Sequence, residues 1–376
     1  MNRNLQWHIF CRVIDNFGDI GVCWRLARQL TNEHNIQVTL WVDDLISFHA
    51  LWPSVDHRLT SQTCAGVLIK RWQKPFAETV VGQVVVEAFG CELPTNYLQA
   101  MVRAKPIWIN LEYLSAEEWV KDYHLNQSPV RGMRKTFFFP GFEADTGGLL
   151  WDQALIQLSQ TSNDSDTKVR IVAELGITHC ASTDLLASLF SYENTALPEL
   201  LEALSQHNKP VTLFVPEGRM AAGVAHWLGR QLLAGEQVRK GQLTLNGLAF
   251  MDQSRYDQLL AICDLNFVRG EESFVRTQML AKPFVWHIYP QQEEVHILKL
   301  EAFLELYLAD APEAVKHAIL AASRAWNQPQ LTSKNSWHLL LEQLPAIALH
   351  ARRWQAKQMA NGDLASNIVH FCSNQV

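Results

Sequence analysis

An alternation of short strand patterns with amphipathic helix patterns occurs twice along the chain and limits the folds that it can adopt. In the first half, strand patterns lie at residues 7–14, 36–42, 66–69, 84–89 and 106–111, with helix patterns ending near residue 30 and at 95–103 and 116–123. In the second half, strand patterns lie at 186–192, 211–215, 242–245, 265–268 and 284–288, with helix patterns at 197–204, 255–262 and 273–280. Residues 169–175 fit either type. Repeated strand–helix units predict an α/β protein with doubly wound parallel sheets.

A polar stretch rich in turn formers, residues 157–166, separates the two halves. It predicts an N-terminal domain at 1–158, a linker at 159–167 and a C-terminal domain at 168–347, with an almost wholly helical pattern from residue 296 onward. The stretch contains Asp164-Ser165-Asp166, formally the DxD pattern that holds a cation in some sugar transferases. Because no strand leads into it, we interpret it as part of the linker. The two similar halves predict two facing Rossmann-like domains with a cleft between them.

Composition excludes several function classes. The net charge of −6 over 376 residues, with no basic block, argues against sequence-independent binding of nucleic acid. We find no apolar signal core and no apolar run long enough to span a membrane. The seven cysteines are scattered without a CxxC pair, and the 14 histidines form no HExxH motif. We therefore expect a cytoplasmic protein with reduced thiols and without a structural metal.

The loop after the first strand pattern carries two carboxylates, Asp15 and Asp19, among glycines at positions 18 and 21. Ligands of open parallel sheets bind beyond the carboxyl ends of the strands, where this loop lies. One interpretation is structural: Asp19 is the N-cap of the following helix and Asp15 ends the strand. The other is catalytic, because a general base needs one carboxylate in a cleft and a second group to orient it. The residues alone leave both open.

A second loop, residues 266–273, also joins a strand pattern to a helix pattern. Gly270 allows a bend onto a helix N-terminus, whose free N–H groups and partial positive charge suit a diphosphate, and Arg269 can add a charge-assisted contact. Glu271 and Glu272 repel phosphates, so they fit sugar hydroxyls, a pairing with Arg269, or a favourable interaction with the helix dipole.

Three residues upstream of that loop are candidates for a base pocket. Tyr192 and Phe250 can stack on a nucleobase, which contributes roughly 1–3 kcal/mol per ring. Gln253 can offer both a donor and an acceptor to a pyrimidine edge. Each aromatic side chain, taken singly, is equally compatible with core packing.

Five blocks of this sequence resemble the bacterial protein-arginine rhamnosyltransferases that modify elongation factor P. They span nearly the whole chain and are residues 13–27 (VIDNFGDIGVCWRLA), 137–142 (FFFPGF), 191–194 (SYEN), 264–276 (DLNFVRGEESFVR) and 282–291 (KPFVWHIYPQ). The resemblance implies a GT-B fold whose helical tail, from about residue 348 to 376, joins the N-terminal domain. It also implies an inverting, metal-independent transfer of L-rhamnose from dTDP-β-L-rhamnose to an arginine of elongation factor P.

The resemblance also implies a set of site residues. Asp19 matches the catalytic carboxylate and Asp15 its supporting partner, while Glu271 matches a residue important for activity. Donor-binding positions are Asn16, Phe17 and Gly18 beside the donor, Tyr192, Phe250 and Gln253 around thymine, and Arg269, Gly270, Glu271, Glu272 and Ser273 around the diphosphate and sugar. Glu272 stands where many relatives have Asp, so its contacts are expected to differ.

Two other functions remain compatible with the loops themselves. A sugar-nucleotide epimerase of the same two-domain fold would use a nucleotide sugar without a protein acceptor. A non-catalytic nucleotide-binding module would use the second loop without turnover. Under the resemblance, the expected partners are a nucleotide-sugar donor and elongation factor P, with neither nucleic acid nor membrane, and no cofactor is expected.

Overall fold

The structure is a computed structural model that describes residues 5–14, 17–78, 80–177, 184–290, 295–328 and 335–375. The chain divides into two compact units: unit 1 holds residues 1–152 and 358–376, and unit 2 holds residues 153–357. Within the described ranges, no helix is both long and apolar enough to cross a lipid bilayer.

Unit 1 is built on a mainly parallel sheet. Its strands, numbered along the chain, are β1 (Gln6–Cys11), β2 (Gln37–Val42), β3 (Ser61–Cys64), β4 (Val67–Arg71), β5 (Val84–Ala88), β6 (Ile107–Leu111), β7 (Gln127–Val130) and β8 (Met133–Phe138). Their order in the sheet is β3-β4-β2-β1-β5-β6-β8-β7, and the two edge strands, β3 and β7, run antiparallel to their neighbours. Its helices are α1 (Gly18–His34), α2 (Leu45–Leu51), α3 (Thr95–Ala104), α4 (Trp119–Tyr123) and, from the tail, α14 (Leu364–Ser373).

The tail helix α14 is part of the core of unit 1. Its apolar face, including Leu364 and Ile368, is buried in the cluster that also contains Trp24 of α1. The amide of Gln29 donates to Asp363 Oδ1 at 2.8 Å and to the Trp151 carbonyl at 2.7 Å, which ties the tail and the end of the N-terminal segment to α1. Burial of several large apolar side chains, each stabilising by about 1.5–3 kcal/mol, explains why the tail returns to this unit.

Unit 2 repeats the architecture with a smaller sheet. Its strands are β9 (Leu185–Leu189), β10 (Val211–Pro216), β11 (Gln237–Lys240), β12 (Leu243–Leu248), β13 (Leu265–Arg269) and β14 (Phe284–His287), in the order β11-β12-β10-β9-β13-β14. The sheet is parallel except for the edge strand β11. Its helices are α5 (Gln153–Thr161), α6 (Ser165–Glu174), α7 (Leu197–Ser205), α8 (Met220–Leu228), α9 (Gln253–Ile262), α10 (Glu272–Met279), α11 (Val295–Leu308), α12 (Glu313–Asn327) and α13 (Ser336–Ala360). The predicted α/β class with two doubly wound sheets is confirmed.

The predicted linker at 159–167 is not an open connection. It holds the last turn of α5 and the first turn of α6, and the side chain of Asp164 caps α6 by accepting the Thr167 N–H at 3.0 Å. The DxD pattern is therefore a helix start, for which Asp is a preferred residue type. The boundary between the two units lies at residue 153, before the predicted linker, and the chain returns to unit 1 within α13, at residue 358. Residues 169–175, which fit either type of element, lie mostly in α6.

Buried histidines give unit 1 a predicted sensitivity to acid. Burial lowers the pKa of His8 and of His124 to about 4, and His124 Nδ1 accepts the Phe139 N–H at 3.1 Å, which requires the neutral ring. The unfolded chain, with histidine pKa values near 6.5, binds more protons between pH 6.5 and 4. Each histidine is thus expected to remove about 3 kcal/mol from the free energy of unfolding as the pH falls through that window.

Urea unfolding at several pH values measures this loss. His124→Asn keeps a hydrogen-bond acceptor without an ionisable ring, so its free energy of unfolding is expected to decline less steeply from pH 6.5 to 4 than that of the wild type. Equal slopes for the two proteins would contradict the assignment to His124.

Candidate functional site

In unit 1, the Asp19 carboxylate is held from two sides. Asp19 lies in the first turn of α1 and is 2% exposed. Its Oδ2 accepts the backbone N–H of Ile14 at 2.8 Å, and its Oδ1 accepts the hydroxyl of Tyr113 at 3.1 Å. A carboxylate in the first helical turn is also favoured by the helix dipole. Its negative charge is therefore fixed in one orientation at the carboxyl end of the sheet.

The structural interpretation of Asp19 as an N-cap is wrong. The N-cap residue of α1 is Phe17, whose side chain makes no capping bond and packs instead against the core of unit 1. Helix α1 begins at Gly18, and the Gly21 N–H donates to the Phe17 carbonyl at 2.9 Å. Asp15 and Asn16 lie outside the described residues.

Tyr113 is a residue that sequence reasoning missed. It comes two residues after β6, just as Asp19 follows β1, and β5 separates these two strands in the sheet. The rule that ligands gather beyond the carboxyl ends of parallel strands was the signal that could have found it. A tyrosine two residues beyond a predicted strand carries no motif of its own, so only the fold brings it to Asp19.

In unit 2, the predicted donor residues gather at one edge of the sheet. Tyr192 follows β9, Phe250 follows β12, and the loop from Arg269 to Ser273 follows β13. Because these strands are parallel to their neighbours, their carboxyl ends meet at the same edge. Gln253 is the first residue of α9, and its Nε2 donates to Glu272 Oε1 at 3.2 Å. The structure thus brings the base-pocket candidates and the diphosphate loop together.

The loop after β13 turns sharply at Gly270 and leads directly into α10. Gly270 has a φ of +61°, in the left-handed region that favours glycine, and Glu271 is the N-cap residue of α10 without a side-chain capping bond. The buried hydroxyl of Ser273 donates to the Arg269 carbonyl at 2.7 Å and accepts the Arg269 N–H at 3.2 Å. These bonds close the loop on itself and fix the N-terminus of α10 behind it.

Aromatic side chains hold the guanidinium of Arg269. Its Cζ lies 4.4 Å from the ring centre of Phe190 and 4.8 Å from that of Tyr192, distances typical of cation–π contacts. Tyr192 is 7% exposed, whereas Phe250 is 42% exposed. Part of the Phe250 ring surface is therefore exposed, while the Tyr192 ring is buried against Arg269.

A buried polar chain supports Tyr192 from behind. The indole N–H of Trp326 donates to Ser191 Oγ at 3.2 Å, and Ser191 Oγ lies 2.6 Å from His287 Nδ1. Ser191 Oγ therefore links the indole of Trp326 to the ring of His287. Burial and the charge of Arg269 lower the pKa of His287 to about 4, so its ring, in contact with Tyr192, is neutral at pH 7.

Among the described residues, no group of three or more His, Cys, Asp and Glu side chains is arranged to hold a metal ion. Asp19 and Glu272 are instead hydrogen-bonded to protein groups: Asp19 to the Ile14 N–H and the Tyr113 hydroxyl, and Glu272 to the Gln253 amide.

Comparison with known proteins places this chain in a family. The profile described as "Elongation-Factor P (EF-P) rhamnosyltransferase EarP" matches residues 7–373. A protein-arginine rhamnosyltransferase of Pseudomonas aeruginosa is 45% identical over 371 residues, covering 97% of this chain and 98% of its own.

Solved structures agree with the profile. The structure reported as the basis for EarP-mediated arginine glycosylation of translation elongation factor EF-P superposes with a TM-score of 0.72 at 34% identity, covering 99% of this chain and 100% of that one. Arabidopsis thaliana UGT89C1, complexed with UDP-L-rhamnose, has a TM-score of 0.55 at 9% identity, covering 99% of each chain. The second likeness concerns the fold alone, which is the GT-B fold.

Proposed function

The chain belongs to the EF-P rhamnosyltransferase family EarP and is a protein-arginine rhamnosyltransferase, and from this membership we propose that it moves L-rhamnose from dTDP-β-L-rhamnose to an arginine of EF-P. The observation that carries the proposal is the Asp19 carboxylate, fixed by the Ile14 N–H and the Tyr113 hydroxyl. Because the chain belongs to a transferase family, we no longer consider the sugar-nucleotide epimerase or the non-catalytic nucleotide-binding module as its function.

Asp19 is proposed as the general base of the reaction. Arginine is protonated at any physiological pH, so its nitrogen becomes nucleophilic only as a proton leaves. A carboxylate binds the guanidinium by charge-assisted hydrogen bonds, orients one nitrogen towards the anomeric carbon and accepts the proton as the N–C bond forms. In the same step the bond from the anomeric carbon to the dTDP oxygen breaks, and attack from the opposite face inverts the configuration. Asp15 is proposed to support Asp19 through their shared loop.

Unit 2 is proposed to bind the donor. The leaving dTDP carries negative charge, which the N-terminus of α10 and Arg269 are suited to stabilise as it develops. Phe250 offers an exposed ring for the thymine base, and Gln253 offers its amide to the pyrimidine edge. Glu271, at the N-cap position of α10, is proposed to bond the rhamnose hydroxyls and thereby to align the sugar.

Glu272 and the loop before α1 complete this assignment. Glu272 accepts a hydrogen bond from Gln253, so it is proposed to position that amide. Phe17 and Gly18 mark the start of α1, and with Asn16 they are proposed to flank the donor sugar. Neutralisation of the diphosphate by N–H groups and Arg269 replaces the role of a divalent cation, so no metal is expected to take part.

The direct test is intact-mass analysis of EF-P after incubation with the full-length enzyme and dTDP-β-L-rhamnose. We expect the addition of one deoxyhexose, located on an arginine by peptide mapping, and we expect the same yield in the presence of EDTA. EF-P that stays unmodified after incubation with the folded wild-type enzyme and the donor would overturn the proposed function. Loss of transfer in EDTA, restored by a divalent cation, would overturn its metal independence.

A further inference from the structure

A stacked aromatic pair lies beside Asp19 at the carboxyl edge of unit 1. The rings of Phe89 and Tyr113 have centroids 4.3 Å apart and are nearly parallel, with an interplanar angle of 14°. Phe89 is half-buried and packs against the core, whereas Tyr113 is 42% exposed. The ring of Tyr113 is therefore exposed to solvent and is supported by the ring of Phe89 stacked against it.

The backbone around Phe89 is turned to bring this ring into place. Phe89 has a φ of +54°, which is uncommon for a bulky residue, and Gly90 and Glu92 follow with φ values of +62° and +56°. The Phe89 N–H donates to the Leu111 carbonyl at 2.7 Å, so the end of β5 is fixed to the end of β6. Such a conformation persists only when the surrounding structure holds it, and it is common where a ligand is bound.

The same tyrosine also contacts the proposed base. Its hydroxyl donates to Asp19 Oδ1 at 3.1 Å, on the opposite oxygen from the Ile14 N–H. Each carboxylate oxygen can accept two hydrogen bonds, so this contact is compatible with a guanidinium bound to the same carboxylate. The negative charge of the Asp19 carboxylate thus lies at the edge of the Tyr113 ring.

A planar cation fits this combination better than a spherical one. A guanidinium stacks with its flat face on an aromatic ring while its N–H groups pair with a carboxylate in the guanidinium plane. A lysine ammonium has no plane to stack and presents a compact, strongly hydrated charge. The arrangement of Tyr113 and Asp19 therefore selects between the two cationic side chains by shape.

We propose that Tyr113, supported by Phe89, is the specificity-determining residue of the acceptor site. Its ring carries the flat face of the acceptor guanidinium, and its hydroxyl positions the Asp19 carboxylate. This assignment rests on the proposed function of Asp19, and it adds a second residue that touches the acceptor and separates arginine from lysine.

The test uses Nα-acetyl-L-arginine amide and Nα-acetyl-L-lysine amide as probes, both as inhibitors of transfer to EF-P and as ligands detected by saturation-transfer NMR. With the wild type, the arginine probe is expected to bind and inhibit, and the lysine probe to do so more weakly. Tyr113→Leu is expected to weaken binding of the arginine probe about tenfold and to erase the difference between the probes. Tyr113→Phe keeps the ring, so the probe preference is expected to persist while kcat falls.

Two controls separate the possible failures. Tyr123→Leu removes another exposed tyrosine of unit 1 and is expected to leave the probe preference unchanged. Binding of dTDP, measured by calorimetry, is expected to be equal in all variants because its proposed site lies in unit 2. A wild type that transfers no rhamnose contradicts the proposed function, and the NMR arm still tests Tyr113. An undiminished arginine preference in Tyr113→Leu overturns the assignment of Tyr113.

Discussion

Replacing Asp19 by asparagine is expected to lower the kcat of rhamnose transfer to EF-P about a thousandfold, within the 10²–10⁴ range typical of a general base. Asparagine has nearly the same shape as aspartate, but its amide neither accepts the proton nor attracts the guanidinium. The amide also meets two donors, the Ile14 N–H and the Tyr113 hydroxyl, with only one acceptor oxygen. Initial rates measured by intact mass at saturating donor and EF-P give the kcat directly.

The control for Asp19→Asn is a second aspartate at a helix start in the same unit. Asp44 is the N-cap of α2 and accepts the N–H groups of Ile46 and Ser47. Asparagine is an equally good N-cap, so Asp44→Asn is expected to retain both the fold and nearly full activity. The affinity for dTDP is expected to be unchanged in both variants. An Asp19→Asn enzyme that keeps more than about a tenth of the wild-type kcat is incompatible with general-base catalysis by Asp19.

The largest expected effect on stability comes from a buried ion pair behind the donor loop. Asp257 of α9 and Arg276 of α10 are 6% and 3% exposed, and they form a bidentate pair with N–O distances of 2.8 and 3.3 Å. Asp257→Ala leaves the guanidinium buried without this carboxylate, which is expected to cost about 3–5 kcal/mol in the free energy of unfolding. Urea unfolding of the full-length protein measures the loss.

Two comparisons make the ion-pair prediction specific. Arg324 and Glu301 form an exposed pair in the same unit, and Glu301→Ala is expected to cost at most about 1 kcal/mol. Replacing both buried partners by apolar residues, Asp257→Leu with Arg276→Met, is expected to recover much of the loss, because no charge is then left buried. Since the pair joins α9 to α10, Asp257→Ala is also expected to weaken dTDP binding. A cost below 1 kcal/mol for Asp257→Ala would contradict this account.

The sequence predicted much of the fold because the sheets are built from short, strongly apolar strands. Strands such as Val84–Ala88 and Val211–Pro216 are buried along their whole length, and such runs are recognisable without tertiary information. The hairpin of β7 and β8 was missed, because β7 is short, half exposed and interrupted by Pro129. The last turn of the helix from Gln153 to Thr161 was assigned to the linker at 159–167, because its polar residues mask a buried face formed by Leu155, Ile156 and Ser159.

The candidate site divides in the same way. The loops of Asp19 and of Arg269 to Ser273 are local in the chain, and glycine, carboxylate and arginine at the end of a strand pattern mark them in the sequence. Contacts around the candidate site span long sequence separations: Tyr113 lies 94 residues from Asp19, and Trp326 lies 135 residues from Ser191, which precedes Tyr192. No periodicity or motif relates such positions.

Local patterns of burial and turn formation were enough to predict the α/β class, the repetition of the strand–helix unit and the residue types at the ends of the first and later strands. Which side chains meet at these strand ends depends on the three-dimensional fold. The order of strands in each sheet sets β5 beside β1 and β6, which brings Phe89 and Tyr113 to Asp19, and it brings Phe250, Tyr192 and Arg269 to a common edge. Sheet order is fixed by the burial of whole strands and helices against one another, and that energy is distributed over the core rather than written into any single segment.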